Sequence, residues 1–119
     1  MTRYLLDSNV IIGHIHGLVQ LPAEITLFSV SVLSVFEVYA LAGIDWREET
    51  SLKTFLNKCD QIPITGKIAQ RAAWLARTHR SGTVDLLIAA TALELDFILV
   101  TKNIKDFKII SDLKVIENF

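Results

Sequence analysis

Val84-Asp85-Leu86-Leu87-Ile88-Ala89-Ala90-Thr91-Ala92-Leu93-Glu94-Leu95-Asp96-Phe97-Ile98-Leu99-Val100 is the stretch on which the fold turns. Val84 to Leu95 reads as a helix that is apolar on nearly every side, and Phe97 to Val100 as a strand without polar alternation. Neither can lie on a surface, so both are expected deep in the core. A membrane span is not the alternative: Asp85, Glu94 and Asp96 cut the run, whereas a spanning helix needs about 20 mostly apolar residues with no central charge.

Working outward, the same order of strand then helix recurs. Tyr4-Leu5-Leu6 is a short apolar run ended by Asp7-Ser8-Asn9, after which Val10, Ile11, Ile12 and Ile15 predict a helix stopping near Gly17. Residues 25–30 predict a second strand, and Val32, Val35, Phe36, Tyr39 and Ala40 keep a helical spacing that ends at Gly43. Trp46 to Lys58 carries Leu52, Phe55 and Leu56 on one helical face. Ile62-Pro63-Ile64 has the length of a strand, Thr65-Gly66 of a turn, and Ile68 to Arg80 is an amphipathic helix with a basic outer face. Strands that alternate with helices, several of them apolar throughout, specify an α/β fold: a three-layer α/β/α sandwich around a mainly parallel sheet. In such sheets ligands gather at the carboxyl ends of the strands.

The 119 residues are 51% apolar, which suits one domain over 1–119 with a proper core; no repeat, linker or low-complexity stretch divides it. Twelve Lys plus Arg against 13 Asp plus Glu give a formal charge of -1, so any nucleic-acid binding must use a local patch. The single cysteine, Cys59, cannot form an internal disulfide, which favours a reducing compartment. Asp7 comes too early for the apolar stretch of a signal peptide. A cytoplasmic location is the expectation.

Single carboxylates interrupt the apolar segments at strand ends or on the helices that leave them. Asp7 closes the first strand, where it also suits a helix cap. Glu37 lies within Val35-Phe36-Glu37-Val38-Tyr39, where an ionised Glu needs either a partner or the solvent side of the helix. Asp85 is the one acid from Gln61 through Leu93, and its place in a first helical turn also matches the dipole. Asp106 follows the strand at Phe97–Val100 in a segment that would equally suit a solvated loop charge. Taken together, four acids on one edge repel one another and imply a compensating cation. All-oxygen ligation suits Mg²⁺ or Mn²⁺, and ions so held orient water and stabilise the leaving oxygen in phosphodiester hydrolysis.

Leu5-Leu6-Asp7-Ser8-Asn9-Val10-Ile11-Ile12, the Ser34-Val35-Phe36-Glu37 helix, Asp85-Leu86-Leu87-Ile88-Ala89-Ala90-Thr91-Ala92-Leu93 and Leu99-Val100-Thr101-Lys102-Asn103-Ile104-Lys105-Asp106-Phe107 together resemble the PIN domain, in particular the toxin nucleases of the VapC type. The resemblance spans nearly the whole chain. It implies a Mg²⁺-dependent endoribonuclease in which Asp7, Glu37 and Asp85 hold the metal. Some members carry the fourth acid where this chain has Asn103 and others where it has Asp106. Ser8, at a position where Thr is commoner, and Thr101 match positions that support the site by hydrogen bonds. The resemblance also implies a homodimer, an RNA substrate and a cognate antitoxin.

Lys67, Arg71, Arg77, His79 and Arg80 fall in an acid-free stretch, and Lys102, Lys105 and Lys108 flank the last motif. They suit phosphates on either side of a cut, or an ordinary solvated face. Leu18, Val19 and Leu21 suit a dimer or antitoxin surface, or burial. His14 and His16, two apart on a helix, point in opposite directions and read as solvated. No Gly-x-Ser-x-Gly, Gly-x-Gly-x-x-Gly or Gly-x-x-x-x-Gly-Lys pattern occurs, which removes the main support for hydrolase-triad and nucleotide-cofactor readings. Two rivals remain: a PIN-like binding module without catalysis, and a response-regulator-like receiver, whose paired first-strand acids are poorly matched by Asp7-Ser8-Asn9.

Overall fold

A computed structural model of the chain describes residues 2–23 and 28–119. The elements run β1 (Tyr4–Leu6), α1 (Ser8–Ile15), β2 (Phe28–Ser31), α2 (Val32–Tyr39), α3 (Trp46–Asn57), β3 (Asp60–Ile62), α4 (Gly66–Ala76), α5 (Thr83–Leu95), β4 (Ile98–Val100), α6 (Ile104–Phe107) and β5 (Val115–Ile116). The five strands form one sheet in the order β3-β2-β1-β4-β5, and every pairing is parallel. Both faces are covered. Successive strand residues point to opposite sides, so Leu6 and Val100 pack with Val10, Ile11, Val38, Leu52 and Leu56 on one face. Leu5 and Leu99, one residue earlier in each strand, pack with Ile88, Ala89, Ala92 and Phe107 on the other. Each such buried aliphatic chain contributes about 1.5–3 kcal/mol, which locks the register of the short strands.

The Val84–Val100 stretch behaves as its composition requires. Leu86, Ile88, Ala89, Ala90, Thr91 and Ala92 of α5 are all buried. Thr91 is accommodated by donating its hydroxyl to the Leu87 carbonyl at 2.7 Å. Asp96, left-handed at φ 55, stops the helix and turns the chain directly into β4.

Several boundaries differ from expectation. The third strand lies at Asp60–Ile62 rather than 62–64, because Pro63 has no N–H for the ladder. Thr65 and Gly66 are not a free turn: the Thr65 hydroxyl accepts from the Ile68 N–H at 3.2 Å and caps α4, which begins at Gly66. That helix also ends earlier, at Ala76 instead of Arg80, and α2 ends at Tyr39 rather than at Gly43. Residues 25–27 of the expected second strand lie outside the described residues. Among the described residues, no helix is long and apolar enough to cross a membrane.

Strand order brings two strand ends together. From β1 the chain moves outward through β2 to β3, then returns to the other side of β1 for β4 and β5. The helix leaving β1 packs into one layer through Val10 and Ile11, and the helix leaving β4 packs into the opposite layer through Phe107. The carboxyl ends of β1 and β4 therefore flank a crevice, the place where a parallel sheet exposes backbone to ligands.

Candidate active site

Asp7 stands at this crevice. Its N–H completes the sheet by donating to the Val100 carbonyl at 2.9 Å, and its side chain caps α1. One carboxylate oxygen accepts from the Ser8 N–H at 2.9 Å; the other accepts from the Thr101 hydroxyl at 2.8 Å and the Asn9 amide at 3.4 Å. The helix-cap reading is thus correct, and it does not compete with the site reading. Only 4% of the residue is exposed. Burial pushes its pKa up, and the Thr101 and Ser8 hydrogen bonds pull it partly back.

Glu37 reaches the same region from α2, half-buried. Its pKa is raised first by burial and then by the charges of Asp7 and Asp85, while the Ser8 side chain opposes the rise. Asp85, in the first turn of α5, is raised first by burial and then by Asp7 and Asp106. The four acids thus form a linked series in which Glu37 and Asp85 both feel Asp7, Glu37 also feels Asp85, and Asp85 feels Asp106. The ion pairs among the described residues join Arg3 to Asp60, His16 to Glu48, Arg71 to Glu94 and Lys114 to Asp96, and none neutralises this series.

Asp85 and Asp106 line one cavity of about 400 Å³ together with Arg80, Ser81, Gly82 and Ile109. Glu37 lines a neighbouring hollow of about 490 Å³ with Ser8, Asn9 and Leu18. Among the described residues no three His, Cys, Asp or Glu side chains stand in ready-made coordinating geometry. The donor set nonetheless fits a hard divalent cation: several carboxylates, oxygen donors only, carrying charge that no ion pair among the described residues offsets.

The supporting residues differ in how they reach the site. Thr101 is fully buried and holds Asp7 directly. Asn103 is exposed, and its contribution is its backbone N–H, which donates to the Thr101 hydroxyl at 3.1 Å; Asp106 is the one that shares a cavity with Asp85. Sequence reasoning missed Asn9. Its amide reaches both Asp7 and the Thr101 hydroxyl, while its carbonyl oxygen accepts from the Lys102 N–H at 3.0 Å, so it ties the end of β1 to the loop after β4. The tripeptide Asp7-Ser8-Asn9 carried a faint signal of this, since Asn after a strand-ending Asp is a residue that bonds to nearby backbone.

The basic patch is less uniform than its sequence. Arg71 is committed to Glu94 at 3.0 Å, and the Lys102 ammonium donates to the Asn118 side chain at 3.3 Å. Lys67, Arg77, Arg80 and Lys105 are exposed, and of these Arg80 borders the acidic cavity. The solvated reading of the histidines is corrected for His14, which is half-buried, sits 3.1 Å from the Val19 carbonyl through Nδ1 and lies against the Phe55 ring. His16 is exposed, as expected, and pairs with Glu48 at 2.6 Å. Val19 and Leu21 pack against the core, but Leu18 is 81% exposed.

Comparison with known proteins agrees with this architecture. Residues 4–113 match the PIN domain family. Ribonuclease VapC19 of Mycobacterium tuberculosis (strain CDC 1551 / Oshkosh) is 32% identical over 123 residues, covering 92% of this chain and 96% of that protein. A chain of a toxin–antitoxin complex from Klebsiella pneumoniae superposes with a TM-score of 0.81 at 25% identity over 98% of both chains. One from VapBC2 of Rickettsia felis, bound to a DNA fragment from their promoter, superposes at 0.80 with 24% identity over 99% of both. The chain belongs to the PIN domain family, in its VapC-type branch.

Proposed function

We propose that residues 1–119 form one domain acting as a divalent-metal-dependent endoribonuclease, the toxin of a type II toxin–antitoxin pair. The observation that carries the reading is the buried Asp7 carboxylate, within electrostatic reach of Glu37 and Asp85 and with no ion pair among the described residues to offset the three. Family membership supports the chemistry, because the relative from Mycobacterium tuberculosis is named a ribonuclease. The structural relatives include toxin–antitoxin complexes, which supports an antitoxin partner for this chain as well.

In this reading Asp7, Glu37 and Asp85 hold Mg²⁺, or Mn²⁺ in its place, and Asp106 completes the acidic edge. The bound cation supplies a polarised water and stabilises the leaving oxygen. Thr101 and Ser8 fix the two oxygens of Asp7 so that its lone pairs keep one direction. Ser8 also lies against Glu37, linking the two carboxylates through one residue. Of the expected phosphate contacts Lys67, Arg71, Arg77, Arg80, Lys102 and Lys105, Arg80 is the best placed, and Arg71 serves only if Glu94 releases it. A homodimer and a cytoplasmic location complete the proposal.

The test is cleavage of varied RNAs with Mg²⁺, with EDTA, and by the Asp7→Asn and Asp85→Asn variants. Cleavage that needs the metal and disappears in both variants is the expected result. RNA left intact by the wild-type chain would move the protein to the class of non-catalytic PIN-like modules.

A further inference from the structure

Two helices expose an aromatic ring in different company. Phe36 of α2 is 71% exposed, and its neighbours one turn away are Val32, Leu33, Tyr39 and Ala40, so the apolar surface continues around it. Trp74 of α4 is 54% exposed, yet its neighbours one turn away are Gln70, Arg71, Arg77 and Thr78. A protein partner would find no apolar continuation around Trp74. A nucleobase would find a half-exposed indole beside the exposed Arg77, the combination that holds single strands by stacking and charge together.

The position of the ring adds to its surroundings. From Gln61 to Val84 the sequence contains no acid, and the one carboxylate that reaches α4 by ion pairing among the described residues, Glu94, is taken up by Arg71. Arg77, one turn beyond Trp74, and Arg80, in the segment after the helix, are exposed. Arg80 lines the cavity of Asp85 and Asp106. Arg80 lies six positions after Trp74, at most about 20 Å of chain. The ring is therefore within the reach of a few nucleotides of a strand held at the acids.

We propose that Trp74 is a stacking platform for an unpaired base of single-stranded RNA, the strand running from the Asp85–Asp106 cavity past Arg80 and Arg77. This rests on the ribonuclease reading and narrows its substrate to RNA with an accessible, unstacked base. A duplex buries its base faces and cannot use the ring.

The experiment uses a Trp46→Phe background, so that Trp74 is the one tryptophan, with EDTA present to stop cleavage. A short single-stranded oligoribonucleotide should quench Trp74 emission, and its duplex form should not. Trp74→Ala should weaken single-strand binding about tenfold and Trp74→Phe should restore most of it; with Mg²⁺ the same change should raise KM and leave kcat near its wild-type value. Unchanged single-strand affinity in Trp74→Ala overturns the proposal. So does a Trp74→Ala variant that alters subunit association by light scattering at unchanged RNA affinity, which assigns the ring to a protein contact. Quenching with no cleavage of any RNA removes the nuclease reading and leaves the platform, whereas normal cleavage with unchanged KM removes the platform and leaves the nuclease.

Discussion

Asp7 and Asp106 belong to the same series of charges, and the fold holds them in opposite ways. Asp7 ends the central strand, is almost entirely buried, and has both oxygens occupied by hydrogen bonds from Ser8, Asn9 and Thr101. Asp106 sits on a four-residue helix, exposed, at the mouth of a cavity. The difference teaches where rigidity is placed: the sheet fixes one carboxylate before any ligand arrives, while the other is free to adjust to the ligand it meets.

The contrast breaks first at Asp7. Asp7→Asn should lower RNA cleavage about a thousandfold, the loss expected when several kcal/mol of charge stabilisation goes with the anionic donor; single-turnover rates measure it. Activity within a few fold of wild type would show that the buried acid is only a helix cap. Thr101→Val should lower metal affinity or activity by about 10- to 100-fold by releasing one Asp7 oxygen, with Thr101→Ser restoring most of it, as read by Mg²⁺ titration of the rate. Asp106→Asn should have a milder effect, about tenfold, recoverable at high Mg²⁺. An Asp106 effect as large as that of Asp7 would erase the distinction between held and adaptable carboxylates.

Stability supplies the smallest effect and an independent check. Asp7, Glu37 and Asp85 all have raised pKa values in the folded chain. The folded state therefore binds protons more readily than the unfolded one, so without metal its stability falls as pH rises from about 4 through the raised values. Thermal melts in EDTA across pH 4–8 should show that slope, and Asp7→Asn should flatten it. Added Mg²⁺ should raise the melting temperature most at the upper end of the range, where the carboxylates are ionised. A melting temperature in EDTA that rises steadily over this range would contradict the raised pKa values, which burial causes first and the neighbouring carboxylates second.

How much of this was legible depended on how far each feature reaches along the chain. The α5–β4 stretch was plain because an unbroken apolar run has no stable place but the core. Asp7, Glu37 and Asp85 stood out against apolar neighbours, whereas Asp106, with Lys105 and Lys108 beside it, read equally as a loop charge. By contrast, β5 is two residues whose strand character comes from pairing with Leu99 and Val100, and α6 is a single turn; neither is long enough to show a period. The role of Asn9 depends on Thr101, 92 positions away, and the diversion of Arg71 depends on Glu94, on another helix. Such partnerships are created by packing and leave no local mark.

The bond between Thr101 and Asp7 joins residues 94 positions apart. It closes between β1 and β4, and β1 is first in the chain but central in the sheet. Closing so long a loop is slow relative to forming any local helix. During synthesis Asp7 emerges 94 residues before Thr101, so its second oxygen has no hydroxyl to hold it until residue 101 has left the ribosome. A nascent or truncated chain lacking residue 101 contains the acids without this hydrogen bond to Asp7. Under the proposed function, such a dependence would delay competence in a chain whose proposed substrate, RNA, surrounds it as it is made.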